Sequence, residues 1–125
     1  MADINKNISD IILKNILTPV IYKMEYDDAY EFICFCDRGI LMNDIAKAET
    51  ELSELLNKNV IILDIRELPE AERVEIVRES EIIYYEDEII KQLFEMSMLE
   101  DFRMFLDFRN ATVERIKNIG TPYLS

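Results

Sequence analysis

The chemistry this sequence has to offer lies in its carboxylates. It carries 26 acidic and 14 basic residues and no histidine. Histidine is the commonest general base and the commonest transition-metal ligand. Acid–base work would therefore fall to carboxylates, Lys, Tyr and Cys, and a carboxylate-held Mg²⁺ is the natural metal to consider. The densest acidic cluster is Glu25, Asp27, Asp28 and Glu31. It reads either as a solvated turn or as a residual cation site with Asp27, Asp28 and Glu31 as ligands. Cys34 and Cys36 stand two apart, so on a strand they point the same way. A zinc site needs two further ligands, and the chain has no other Cys and no His. The two thiols are expected to be buried as small apolar side chains, with no disulfide in a reducing compartment.

These residues need elements to position them. A helical period over 5–17, carried by Ile8, Ile11, Ile12 and Ile16, ends at Pro19. A strand is expected over 19–26, with Val20, Tyr22, Met24 and Tyr26 on one face and Asp27-Asp28 as the turn. A second strand over 30–36 is apolar almost without interruption, as for an interior strand covered on both faces. A helix over about 43–57, with Asn43 as a cap, buries Ile45, Ala48, Leu52, Leu55 and Leu56. Residues 60–65 read as a third interior strand. Pro69 opens a helix over 70–79, and 81–85 forms a short fourth strand. Of Tyr84 and Tyr85, one ring is expected in the core and one at the surface. From about residue 88 to 118 the pattern is helical, with Asn110 as the candidate break. Strands separated by helices predict an α/β or α+β fold, a small mixed sheet flanked by helices. The strands at 30–36 and 60–65 are expected to be parallel neighbours, joined by the intervening helix.

The chain has 125 residues, half of them apolar, and a net charge of −12. That is the size of one domain, and residues 1–125 read as a single domain with a C-terminal helical extension from about 88. The charge repels phosphate backbones, so no nucleic-acid partner is expected. No apolar run approaches the length of a membrane span. The N-terminus, Met1-Ala2-Asp3-Ile4-Asn5-Lys6, lacks the features of a secretion signal. A cytoplasmic location and no membrane association are expected. With only Gly39 and Gly120, no glycine-rich phosphate loop exists.

The middle of the chain has an order of features that resembles a known family. A helix closing on Leu55-Leu56-Asn57 is followed by the strand Val60-Ile61-Ile62-Leu63-Asp64, then Leu68-Pro69, a short helix, and a strand ending Tyr84-Tyr85-Glu86. Leu106-Asp107-Phe108-Arg109 comes after. Over roughly residues 30–109 this resembles the minimal nucleotidyltransferases (MNT) of the DNA polymerase β superfamily. The resemblance implies a nucleotidyltransferase-like sheet. In that family a Gly-Ser turn admits the triphosphate, and an Asp-x-Asp with a third Asp on the next strand holds two Mg²⁺ for in-line attack on the α-phosphate. This chain has no Gly-Ser. Ala29-Tyr30-Glu31 stands where Asp-x-Asp belongs, and Ile61 stands at the third Asp. Only Glu31 remains as a catalytic remnant, and Asp64 lies three residues on, facing the opposite way. The copy reads as degenerate.

The C-terminal extension is unusually apolar. Phe94, Met96, Met98, Leu99, Phe102, Met104 and Phe105 exceed what one buried stripe accommodates. Phe94, Met96, Met98, Met104 and Phe105 are the candidate interface residues, since Met and aromatic side chains suit contact surfaces. The leading expectation is a catalytically inactive interaction module, an antitoxin-like partner of a HEPN-type RNase as the resemblance implies, without a cofactor. One alternative is an active, Mg²⁺- and ATP-dependent adenylyltransferase with a relocated dyad of Glu31 and Asp27 or Asp28. The other is a homodimeric scaffold or regulatory protein.

Overall fold

The computed structural model describes residues 2–35, 42–97 and 111. Helix α1 (Ala2–Asn15) starts earlier than its apolar period. Strands β1 (Val20–Glu25) and β2 (Ala29–Cys34) follow, then helix α2 (Met42–Leu56) and strand β3 (Asn59–Asp64). Helix α3 (Glu70–Glu79), strand β4 (Glu81–Tyr85) and helix α4 (Glu88–Met96) complete the described elements. Because α2 begins at Met42, Asn43 lies inside its first turn rather than capping it.

The four strands form one mixed sheet in the order β3-β2-β1-β4. β1 runs antiparallel to β2 and to β4, while β2 and β3 are parallel, with Glu31 opposite Ile61. The expected parallel neighbours are thus neighbours, joined through α2. One expectation is corrected. β3 is an edge strand and not an interior one. An open edge invites pairing with another chain. Here α2 reaches over it, and Glu49 accepts the Ile62 N–H at 2.9 Å.

Two cores lie on the two faces of the sheet. On the first, α1 and α2 bury Phe32, Cys34, Val60, Ile62 and Ile21 together with Ile8, Ile12, Ala48 and Leu52. Leu55, expected in this stripe, is instead exposed. Cys34 is a buried apolar side chain, as expected, and Cys36 lies outside the described residues. On the second face, Val20, Tyr22, Ile33 and Phe35 pack with Ile76 of α3 and with Ile90 and Phe94 of α4. Burying one such side chain contributes roughly 1.5–3 kcal/mol.

A register shift between Ile21 and Tyr22 makes Ile83 an extra residue on β4. Ile83 and Tyr84 consequently both pack toward the first core, and Tyr85 is exposed. No described helix is long and apolar enough to cross a membrane.

Candidate functional site

The positions that resemble the metal-binding positions of the nucleotidyltransferases come together in space. Parallel pairing sets Glu31 beside Ile61, and Ala29 is two residues from Glu31 on the same face. This is the second face of the sheet, at its β3 end, beyond the reach of Phe94 and Ile90. A cleft of about 280 Å³ lies here, lined by Met24, Tyr26, Glu31 and Leu63 from the sheet side and by Leu68, Glu72, Glu75 and Ile76 from the α3 side. Ile61 is 44 % exposed beside it.

Tyr26 donates to Glu31 Oε1 at 3.1 Å. Burial, this hydrogen bond and the charges of Glu31 and Glu75 all push the Tyr26 hydroxyl above its usual range. Among the described residues, no lysine or arginine lines the cleft. At Ala29, Glu31 and Ile61, the positions the sequence resemblance implied, the side chains are one carboxylate and two apolar groups. That set does not fit a two-magnesium centre. Among the described residues, no group of three or more Asp, Glu or Cys side chains is arranged to hold a metal ion.

Asp27 and Asp28 are elsewhere. They border a second, open depression of about 550 Å³ with Ser53, Asn57, Lys58 and Asn59, on the side of the sheet covered by α2. Lys58 holds this end of the hairpin. Its Nζ lies 3.3 Å from Glu25 Oε2, donates to the Tyr26 carbonyl at 3.4 Å, and sits 4.7 Å above the Tyr30 ring. Hydrogen bonds from Lys58 and Tyr30 hold the Glu25 carboxyl below its usual range. The acidic cluster of the sequence is therefore divided: Glu25 belongs to Lys58, Glu31 to Tyr26 and the cleft, and Asp27 and Asp28 to the other depression. The structure does not bring Asp27 or Asp28 into the cleft with Glu31.

Asp64 is 8 % exposed and has a structural task. It accepts from the Arg66 backbone N–H at 3.0 Å and pairs with Arg66 Nη2 at 3.2 Å, capping the short 3₁₀ turn Ile65–Glu67. Arg66 in turn covers the Phe35 ring at 5.0 Å.

Among the interface candidates, Phe94 is corrected. It is fully buried, stacked with Tyr22 at 6.1 Å and edge-on to Phe35 at 5.4 Å. It belongs to the chain's own core, because the i, i+4 stripe of Ile90 and Phe94 faces the sheet. Met96 lies off that stripe and is 75 % exposed. Met98, Met104 and Phe105 lie outside the described residues.

Reasoning from sequence missed Glu72 and Glu75. Their signal was present: acids three apart on one helix face, next to the buried Ile76. Only the fold shows that this face meets Glu31.

The architecture defines a nucleotidyltransferase-like fold, a mixed sheet with helices on both faces. No family model and no curated protein matches the sequence. Solved structures do match. A chain of the crystal structure of the toxin–antitoxin MntA–HepT superposes with a TM-score of 0.65 at 13% identity, covering 90% of this chain and 96% of that one. A chain of the tri-AMPylated Shewanella oneidensis HEPN toxin in complex with MNT antitoxin gives 0.66 at 15% identity, covering 94% and 99%. A toxin–antitoxin structure with AMP-PNP gives 0.65 at 12%, covering 90% and 98%. At such identities the likeness shows a common fold.

Proposed function

We propose that this chain is a non-catalytic interaction module of the antitoxin type, which binds and silences a HEPN-type ribonuclease without transferring a nucleotide. The observation that carries the reading is the fold shared with chains from MntA–HepT and MNT–HEPN toxin–antitoxin structures. Two features favour binding over chemistry. The family's metal positions hold Ala29, Glu31 and Ile61, which offer one carboxylate where in-line phosphoryl chemistry needs several. The net charge of −12 suits a basic protein surface and repels both nucleotide and RNA. In this reading the chain acts as one cytoplasmic unit. The extension from about residue 88 contributes contacts through Met96, Met98, Met104 and Phe105.

The test is an RNA-cleavage assay with a HEPN-type ribonuclease and this chain, run with and without Mg²⁺ and ATP. Suppression at one chain per toxin, independent of ATP, is the expected result. Suppression that appears only with Mg²⁺ and ATP would sink the reading.

A further inference from the structure

We infer that the cleft between α3 and the β3 end of the sheet is a docking groove for a basic amphipathic helix of the protein partner. Lys or Arg side chains of that helix would meet Glu31, Glu72 and Glu75, while its apolar side chains cover Met24, Leu63 and Ile61. The inference rests on the antitoxin-type reading for the identity of the partner, but the chemistry of the groove stands on its own.

Met24, Leu63, Leu68 and Ile76 supply the apolar part of its lining. Tyr26 in the lining and Ile61, beside Glu31 on β3, are 46 % and 44 % exposed. Three carboxylates face the same space. Glu31 has a hydrogen bond from Tyr26, which leaves its negative charge in place. Among the described residues, no lysine or arginine forms an ion pair with Glu31, Glu72 or Glu75. The Tyr26 hydroxyl is raised by burial first, then by its hydrogen bond to Glu31 and by the charges of Glu31 and Glu75.

Such a site is poor for a nucleotide. Among the described residues that line it there is no cation and no glycine to receive phosphates. It fits two or three side chains of a docked helix, the arrangement in which apolar anchors enter a groove and charges settle on its rim. Cationic side chains are matched to it by charge, since rim carboxylates both steer a basic partner and fix its register.

The probe is a synthetic 18-residue amphipathic helix of Leu and Arg, titrated into the full chain and followed by amide and methyl NMR at 0.15 M salt. The expected result is a set of shifts confined to Met24, Tyr26, Ile61, Leu63 and the start of α3. In Glu72→Gln/Glu75→Gln, binding should weaken at least tenfold. A control that removes two charges elsewhere, Asp10→Asn/Glu54→Gln, should bind within twofold of wild type. Shifts spread over the acidic surface, or equal weakening in both variants, would overturn the groove.

A second arm forms the complex with the HEPN-type ribonuclease and adds the peptide. Displacement supports the inference. A stable complex that the peptide does not displace, and that tolerates Glu72→Gln/Glu75→Gln, overturns the groove while leaving the antitoxin reading intact. Peptide binding in the groove with no ribonuclease complex at all would overturn the antitoxin reading and leave the groove standing.

Discussion

On one face of the sheet, α1 and α2 cover Phe32, Cys34, Val60 and Ile62 across its width. On the other, α3 and α4 seal Tyr22, Ile33 and Phe35 but stop short of Glu31, Ile61 and Leu63. The same strands serve both faces, so the difference is made by the helices. The closed face is built from long, apolar i, i+4 stripes such as Ile8-Ile12-Ile16. α3 is ten residues long and acidic, and among its residues only Ile76 is buried. A helix with one anchor leaves part of the sheet uncovered, and what it sets around that gap is carboxylate. Both faces bury an apolar core, and on the second the β3 end is left open, with Ile61 exposed.

The largest effects should follow this division. Phe32→Ala on the closed face and Phe94→Ala in the sealed part of the other should each cost about 3–5 kcal/mol in urea unfolding. Ile61→Ala, at the open end, should cost less than about 1 kcal/mol, because its side chain leaves little cavity behind. A large loss at Ile61 would mean that the groove is part of the core. If Phe94→Ala instead left stability unchanged and weakened association, the assignment of Phe94 to the core would be wrong.

A medium effect is expected where the two faces meet at the strand ends. Buried Thr18 donates to the Val20 carbonyl at 2.7 Å and accepts the Phe35 N–H at 2.9 Å, fastening the start of β1 to the end of β2. Thr18→Val keeps the shape and removes both bonds, at a cost of about 1–3 kcal/mol. Thermal melts of the two proteins give the difference.

High pH probes the sealed part of the second face. Burial first, then the charge of Glu95 and its hydrogen bond at 3.4 Å, raise the Tyr22 hydroxyl above its ordinary value. The unfolded chain therefore releases this proton first, at about pH 10. Above that pH the native state binds more protons than the unfolded one, so stability falls as pH rises. The contribution of Tyr22 is fully present below pH 10 and is lost above it. Tyr22→Phe should flatten this part of the stability curve in alkaline urea titrations. An unchanged slope would show that the hydroxyl is not sealed.

The smallest effect belongs to the turn between α2 and β3. Asn57 has φ 55°, a left-handed conformation after the last helical residue. Asn57→Gly should be neutral or slightly stabilising, and Asn57→Ala should cost about 1 kcal/mol. Differential scanning calorimetry resolves the pair.

Much of the architecture was legible in the sequence, for physical reasons. Pro19 and Pro69 marked boundaries, alternation placed Val20, Tyr22 and Met24 on one face, and the apolar density of Phe32 to Phe35 announced a strand covered on both sides. The same reasoning misplaced Val60 to Ile65. An unbroken apolar run has one appearance whether it is buried twice or lies at an edge with one face open. Which of these holds is decided by Glu49 reaching the edge and by α3 failing to cover Ile61, both non-local. Leu55 and Leu56 could not both face the sheet, and the helical phase put Leu55 outside. At the site, the lone carboxylate Glu31 between the apolar Ala29 and Ile61 was readable by position. The union of Glu31 with Glu72 and Glu75 was not, because it joins residues some forty apart. Phe94 misled because an apolar excess on a helix does not say which members belong to its own core.

The central claim is that this chain binds a HEPN-type ribonuclease and leaves it chemically unchanged. Native mass spectrometry of the two proteins after incubation with Mg²⁺ and ATP addresses it most directly. The account predicts a complex in which both chains keep their unmodified masses. A nucleotide adduct on either chain, lost when Glu31→Gln is used, would contradict it.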